Sequence, residues 1–131
     1  MLNPSFVKVG LVILGGAIGT GARYYVSSVA YHHLGARFPW GTMIVNLVGC
    51  LLIGLLWGFL EDVFVSTTLK AFLFLGILGG FTTYSSFAME SFNLFRSDIK
   101  LAFINILISN GAGILLTAVG YGLSLFVRRE I

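Results

Sequence analysis

Three stretches of this chain, residues 38–60, 71–89 and 101–127, contain no charged residue, and a fourth, residues 9–36, is interrupted only by Arg23. Each is close to the roughly 20 residues an α-helix needs to cross the hydrocarbon core of a bilayer. Only 10% of the residues are charged, against about 25% in a soluble domain, and the mean hydropathy is +0.97. Too little polar surface is available to coat a water-soluble globule. The pattern predicts an all-α membrane protein, a single domain of four transmembrane helices over residues 1–131, with helices near 5–28, 41–60, 69–93 and 101–127.

A cleaved signal peptide does not suit the first stretch, because no small-residue cleavage site follows it and apolar character resumes at once. Cys50 is the one cysteine, which excludes an intrachain disulfide, and a small buried hydrophobe is its simplest role. The net charge of +3 comes from basic residues scattered singly, with only Arg128 and Arg129 adjoining. That is interfacial anchoring rather than a nucleic-acid footprint. Four crossings put both termini on one side with Lys8, Lys70, Arg128 and Arg129, and leave Arg23, Arg37, Arg96 and Lys100 on the other. Orientation follows a Lys and Arg difference between the two sides, and here the two sets balance. Either the loops are misplaced by a few residues or the chain inserts both ways up, which permits an antiparallel homodimer.

Glycine is abundant, at 17 residues. Gly15, Gly19 and Ala22 recur at helical spacing on the first span, and Gly111, Gly113, Gly120 and Gly122 lie on the fourth; small residues let membrane helices approach closely. Gly79 and Gly80 have a different setting. They fall mid-span in the third stretch and precede Thr82, Thr83, Tyr84, Ser85, Ser86 and Phe87. Glycine yields helix readily, and a non-helical break at membrane depth is tolerated only where it is buried in protein or lines a wet cavity. The glycine pair therefore predicts a third helix broken near its middle, with freed carbonyls able to bind a cation. A helix resuming near Thr82 would stack Tyr84 with Phe87 and set Thr83, Ser86 and Glu90 on another face. Hydroxyls donate hydrogen bonds and ring edges are electropositive, which equips the segment to pass a small anion.

Asn46 in the second span, and Asn105, Ser109 and Asn110 in the fourth, are further polar groups at depth, suited equally to interhelical bonding. Arg23 follows Lys8 by about 22 Å of helix, so it is expected near the far interface, as a snorkelling anchor or as an anion-attracting charge at a vestibule. Glu90 is an acid within a span, a functional candidate by default. His32 and His33 are adjacent and lack acid or Cys partners, a poor metal pair. No nucleophile elbow, phosphate loop or paired carboxylate is present, so an enzyme is not expected.

Three motifs in order, GGAIGTGARY at residues 15–24, GTMIVNLVG at 41–49 and GGFTTYSSF at 79–87, resemble those of the Fluc/CrcB family of bacterial fluoride channels over essentially the whole chain. The resemblance implies an antiparallel, dual-topology homodimer with two fluoride pathways and a central structural Na⁺ held by the backbone carbonyls of Gly79 and Thr82. It implies an anion pathway through Arg23, Asn46, Tyr84, Ser85, Ser86, Phe87, Asn105 and Ser109, with Thr42, Thr83 and Glu90 as gating or pathway candidates. Two positions depart from the family pattern: Tyr84 replaces the usual Phe, and Asn105 aligns with a Tyr. Some family members pair unequal chains. The expected activity is passive fluoride export across the bacterial inner membrane. The rival is a small proton-coupled multidrug exporter, which needs a membrane-embedded acid where the first helix offers only Arg23.

Overall fold

The computed structural model describes residues Pro4–Glu130, and the fold is all-helical. Four helices are long and apolar enough to span a membrane: Ser5–Leu34, Trp40–Leu60, Thr67–Ser97 and Ile99–Glu130. Helix α1 (Pro4–Leu34) stops where Gly35 takes φ +79°, a left-handed conformation that only glycine adopts cheaply, and the Gly35 N–H donates to Tyr31 O at 3.0 Å. Pro39 then opens α2 (Trp40–Leu60). Ser66 caps the third span by accepting the Leu69 N–H at 3.2 Å. Asp98 caps the fourth by accepting from the N–H groups of Lys100 and Leu101 at 3.1 and 3.2 Å. Each connection is thus closed by a residue with a specific backbone or side-chain aptitude for turns.

The third span is composite. It begins as α3 (Thr67–Lys70), widens into a π-helical stretch at Ala71–Leu78, and tightens to α4 (Gly79–Phe81). It resumes as α5 (Tyr84–Ser97), and α6 (Ile99–Glu130) completes the fold. The bend lies between α4 and α5, where Thr82 and Thr83 take extended dihedrals of −86°, 158° and −150°, 115°. This corrects the expected location. Gly79 is itself α-helical, at φ −64° and ψ −36°, and the interruption falls on the two threonines that follow the glycine pair.

What the glycines do instead is allow close packing. Helix α1 lies against the π-helical stretch and α4, and α2 packs most extensively on α6. A Cβ on Gly80 would lie 2.6 Å from Gly16 O, and one on Gly15 would lie 2.8 Å from Phe72 O. Gly19 closes on Ile77 in the same way, and Gly54 and Gly120 bring the α2 and α6 backbones together. Backbone contact of this kind compensates for the missing hydrophobic drive between helices in lipid. Gly111 and Gly122 face open space and Ala22 is exposed, so the small-residue seam is narrower than the sequence spacing implied.

Arg128 fixes one end of the bundle, donating to Gly58 O and to Asp62 Oδ2, both at 2.8 Å. At the other end Arg37 approaches Asp98 at 4.0 Å. Apolar side chains such as Ile13, Leu75, Leu107 and Ile114 point outward, as hydrocarbon-facing residues do. Among the described residues the largest fully buried side chains are Val45, Asn105 and Ser124. Two of the three are polar.

Candidate functional site

The bend is held open from outside its own helix. Asn46, on α2, binds both backbone groups of Thr83: Thr83 N–H donates to Asn46 Oδ1 at 2.8 Å, and Asn46 Nδ2 donates to Thr83 O at 3.0 Å. Thr83 in turn serves as the N-cap of α5, its Oγ1 accepting the Ser86 N–H at 3.3 Å. In an unbroken helix the N–H groups of Thr83 and Ser86 would bond to the carbonyls four residues back, which are those of Gly79 and Thr82. Side chains have taken both donors. The bend therefore diverts the helical partners of the two carbonyls that the resemblance nominates for Na⁺.

Space is made for the bend by Gly49, one turn after Asn46, where a Cβ would strike the Thr82 side chain. Thr82 keeps its helical bond to Leu78 O, with its N–H at 3.0 Å and its hydroxyl at 2.9 Å. From the α1 side, Arg23 Nη1 donates to Thr82 O at 3.4 Å and the Thr20 hydroxyl reaches Gly80 O at 3.5 Å. Arg23 thus sits at the depth of the bend, half-buried, instead of at the far interface. The reason is the length of α1, which runs to Leu34 and places Arg23 about 16 Å short of its end.

A groove opens beside the bend. It is lined by Asn46, Gly79, Thr82, Thr83, Tyr84, Phe87, Ser109 and Asn110, with apolar side chains of α2 and the π-helical stretch completing the wall. Tyr84 and Phe87 meet across one helical turn, as their spacing predicts, with ring centroids 5.7 Å apart and ring planes tilted by 46°. Tyr84 is 79% exposed, and its neighbour Ser85 is exposed too. Next to the groove, Thr83 Oγ1 lies 3.1 Å from Ser86 Oγ and 3.4 Å from Ser85 Oγ, so the hydroxyl run forms a real cluster.

Other candidates lie apart from the groove. Asn105 is buried between α5 and α6, donating from Nδ2 to Ser91 Oγ at 3.0 Å and accepting from the Ser109 hydroxyl at 3.4 Å. It reaches the groove only through Ser109. Glu90, about two helical turns beyond Thr83, and Thr42, one turn before Asn46, form a second polar cluster: Glu90 Oε1 accepts from Thr42 Oγ1 at 2.8 Å and from Tyr31 OH at 3.0 Å. Glu90 Oε2 is buried with no hydrogen-bond partner among the described residues. Sequence reasoning missed Thr20 and Tyr31 on α1. Thr20 lies one turn before Arg23 on the same face, a spacing that could have drawn attention to it.

Among the described residues no group of three or more His, Cys, Asp or Glu side chains converges on a metal site; the oxygens at the bend are backbone carbonyls, the Asn46 amide and Thr and Ser hydroxyls. The groove presents uncharged N–H and O–H donors and ring edges at membrane depth, with one guanidinium beside the bend. Such a lining can replace part of the water around a small anion. It holds no activated nucleophile and no acid-base pair.

The family model described as "CrcB-like protein, Camphor Resistance (CrcB)" matches residues 10–121. Among curated proteins, the chain is 42% identical over 114 residues to the "Fluoride-specific ion channel FluC" of Desulfotalea psychrophila, covering 86% of this chain and 88% of that protein. It is 42% identical over 127 residues to the protein of the same name from Magnetococcus marinus, covering 95% and 100%. The Aquifex aeolicus protein, also of that name, is 43% identical over 112 residues, covering 84% and 90%.

Proposed function

This chain belongs to the CrcB-like family, and from that membership together with the groove at its bend we propose that it is a fluoride-specific passive ion channel. The observation that carries the reading is the groove itself, a set of uncharged donors at mid-span in an otherwise apolar protein. Fluoride is small and strongly hydrated, so a narrow path must supply hydrogen bonds as water is removed. In this reading Arg23 draws the anion toward the bend, Asn46 and the Ser85 and Ser86 hydroxyls donate to it, and Ser109 donates once its proton turns from Asn105 Oδ1 toward the groove. The edges of Tyr84 and Phe87 flank the path. Asn105 orients Ser109, Thr83 lines the groove, and Thr42 and Glu90 continue the polar track beyond it toward the α1–α2 turn.

The working unit is an antiparallel pair of chains. Gly79, Tyr84 and Ser85 are exposed at mid-span, where unmet polar groups are costly in lipid, and a second copy across a two-fold axis would cover them. Such a pair would have two pathways. The carbonyls of Gly79 and Thr82 would hold a structural Na⁺: they are hard, neutral oxygens whose helical donors are diverted, the two-fold axis would double their number, and Arg23 would release Thr82 O as the cation binds. When bound, the cation would pin the two bends together. A specialised unequal partner chain is the less favoured assembly. The location is the inner membrane of a bacterium, with export of cytoplasmic fluoride relieving its toxicity.

The multidrug-exporter reading needs an acid open to substrate. Glu90 is instead held by Tyr31 and Thr42 outside the groove. Expression in a bacterium lacking its own fluoride export separates the two readings. Growth restored in fluoride medium, without added tolerance to lipophilic cationic dyes, is the expected result; dye tolerance without fluoride tolerance would reverse it.

A further inference from the structure

Asn110 lines the groove and is used neither by the bend nor by the hydroxyl cluster. Asn110 is exposed on α6, and its Nδ2 donates to Ile106 O of its own helix at 2.7 Å. It lines the same groove as Asn46, Tyr84, Phe87 and Ser109. A carboxamide nitrogen carries two hydrogens. Anchoring one of them to the helix leaves the other available to a partner in the groove that Asn110 lines. Were this amide merely back-bonded to its helix, its second N–H would face hydrocarbon in the middle of an apolar span, where an unpaired polar group is unfavourable. The neighbouring wall raises the same question. The Tyr84 hydroxyl has no hydrogen-bond partner among the described residues, the ring being engaged only with Phe87. Two spare donors from two different helices therefore line one groove.

We propose that Asn110 is a further donor to the permeating anion, a specificity-determining residue on the α6 wall beside Ser109. The inference rests on the channel reading above and adds a contact to it. Asn110 is held by its own helix rather than by the bend, so its replacement leaves the Asn46 and Thr83 network intact.

The test compares Asn110→Ala with Asn110→Ser in the purified full chain, reconstituted in liposomes loaded with fluoride or chloride. The two variants differ by one hydroxyl, so a shared folding defect affects both. Asn110→Ala is expected to slow fluoride release about tenfold, the effect of losing one hydrogen bond to a charged partner, while Asn110→Ser stays within about threefold of the parent. Equal rates for all three chains would overturn the proposal, and so would equal loss in both variants, since a missing donor could not then be the cause. A parent chain that releases no fluoride would remove the channel reading itself.

Discussion

Asn46 shows how much of the site depends on a single carboxamide. It pairs with both the N–H and the C=O of Thr83, and leaving a buried backbone group unsatisfied costs about 1–3 kcal/mol. Asn46→Leu is expected to lower the thermal unfolding midpoint in detergent and to abolish fluoride release; an unshifted midpoint would show that the bend holds without it. Asn46 was legible in the sequence as an amide within an apolar stretch, but its partner was not, because Thr83 lies on a different helix. Asn105 is the converse. The residues left it open between pathway and interhelical bonding, the resemblance implied the pathway, and α6 buries it against Ser91. The side-chain inventory identifies the polar groups, and only the packing of the helices distributes them between groove and interior.

The third span carries the same lesson at the level of an element. Glycine propensity predicted a break at Gly79 and Gly80, whereas the bend falls on Thr82 and Thr83 because a side-chain cap and an amide from α2 favour extended geometry there. The four spans themselves were readable, since charge-free length is a property of the local sequence alone. The two glycines now separate by face. A Cβ on Gly80 would press to 2.6 Å against a backbone carbonyl of Gly16, which cannot give way, while one on Gly79 would meet only Phe74 O, at 3.5 Å. Gly80→Val is therefore expected to part α1 from the third span and reduce the yield of folded protein. Gly79→Val should leave the yield near that of the parent and weaken the Na⁺ dependence of thermal stability. Size-exclusion recovery and melting curves with and without Na⁺ check both. Equal behaviour of the two variants would count against the packing just described.

For the whole molecule, orientation is the property most open to design. With Arg23 placed at the bend, Lys8, Lys70, Arg128 and Arg129 at one end stand against Arg37, Arg96 and Lys100 at the other, a difference of one. So small a bias is what insertion both ways up would need, and what the proposed antiparallel pair requires. Appending three lysines to the C-terminus should fix one orientation and suppress fluoride release, and coexpression with a chain biased the opposite way should restore it. Unaltered release from the tagged chain alone would contradict dual insertion. The central claim, selective passive conduction of fluoride, is tested most directly by ion release from liposomes containing the purified chain, with valinomycin carrying the balancing K⁺. Rapid loss of fluoride with chloride retained, independent of any imposed pH gradient, is the predicted result. Fluoride retained alongside chloride, or released only when a proton gradient is applied, would contradict it.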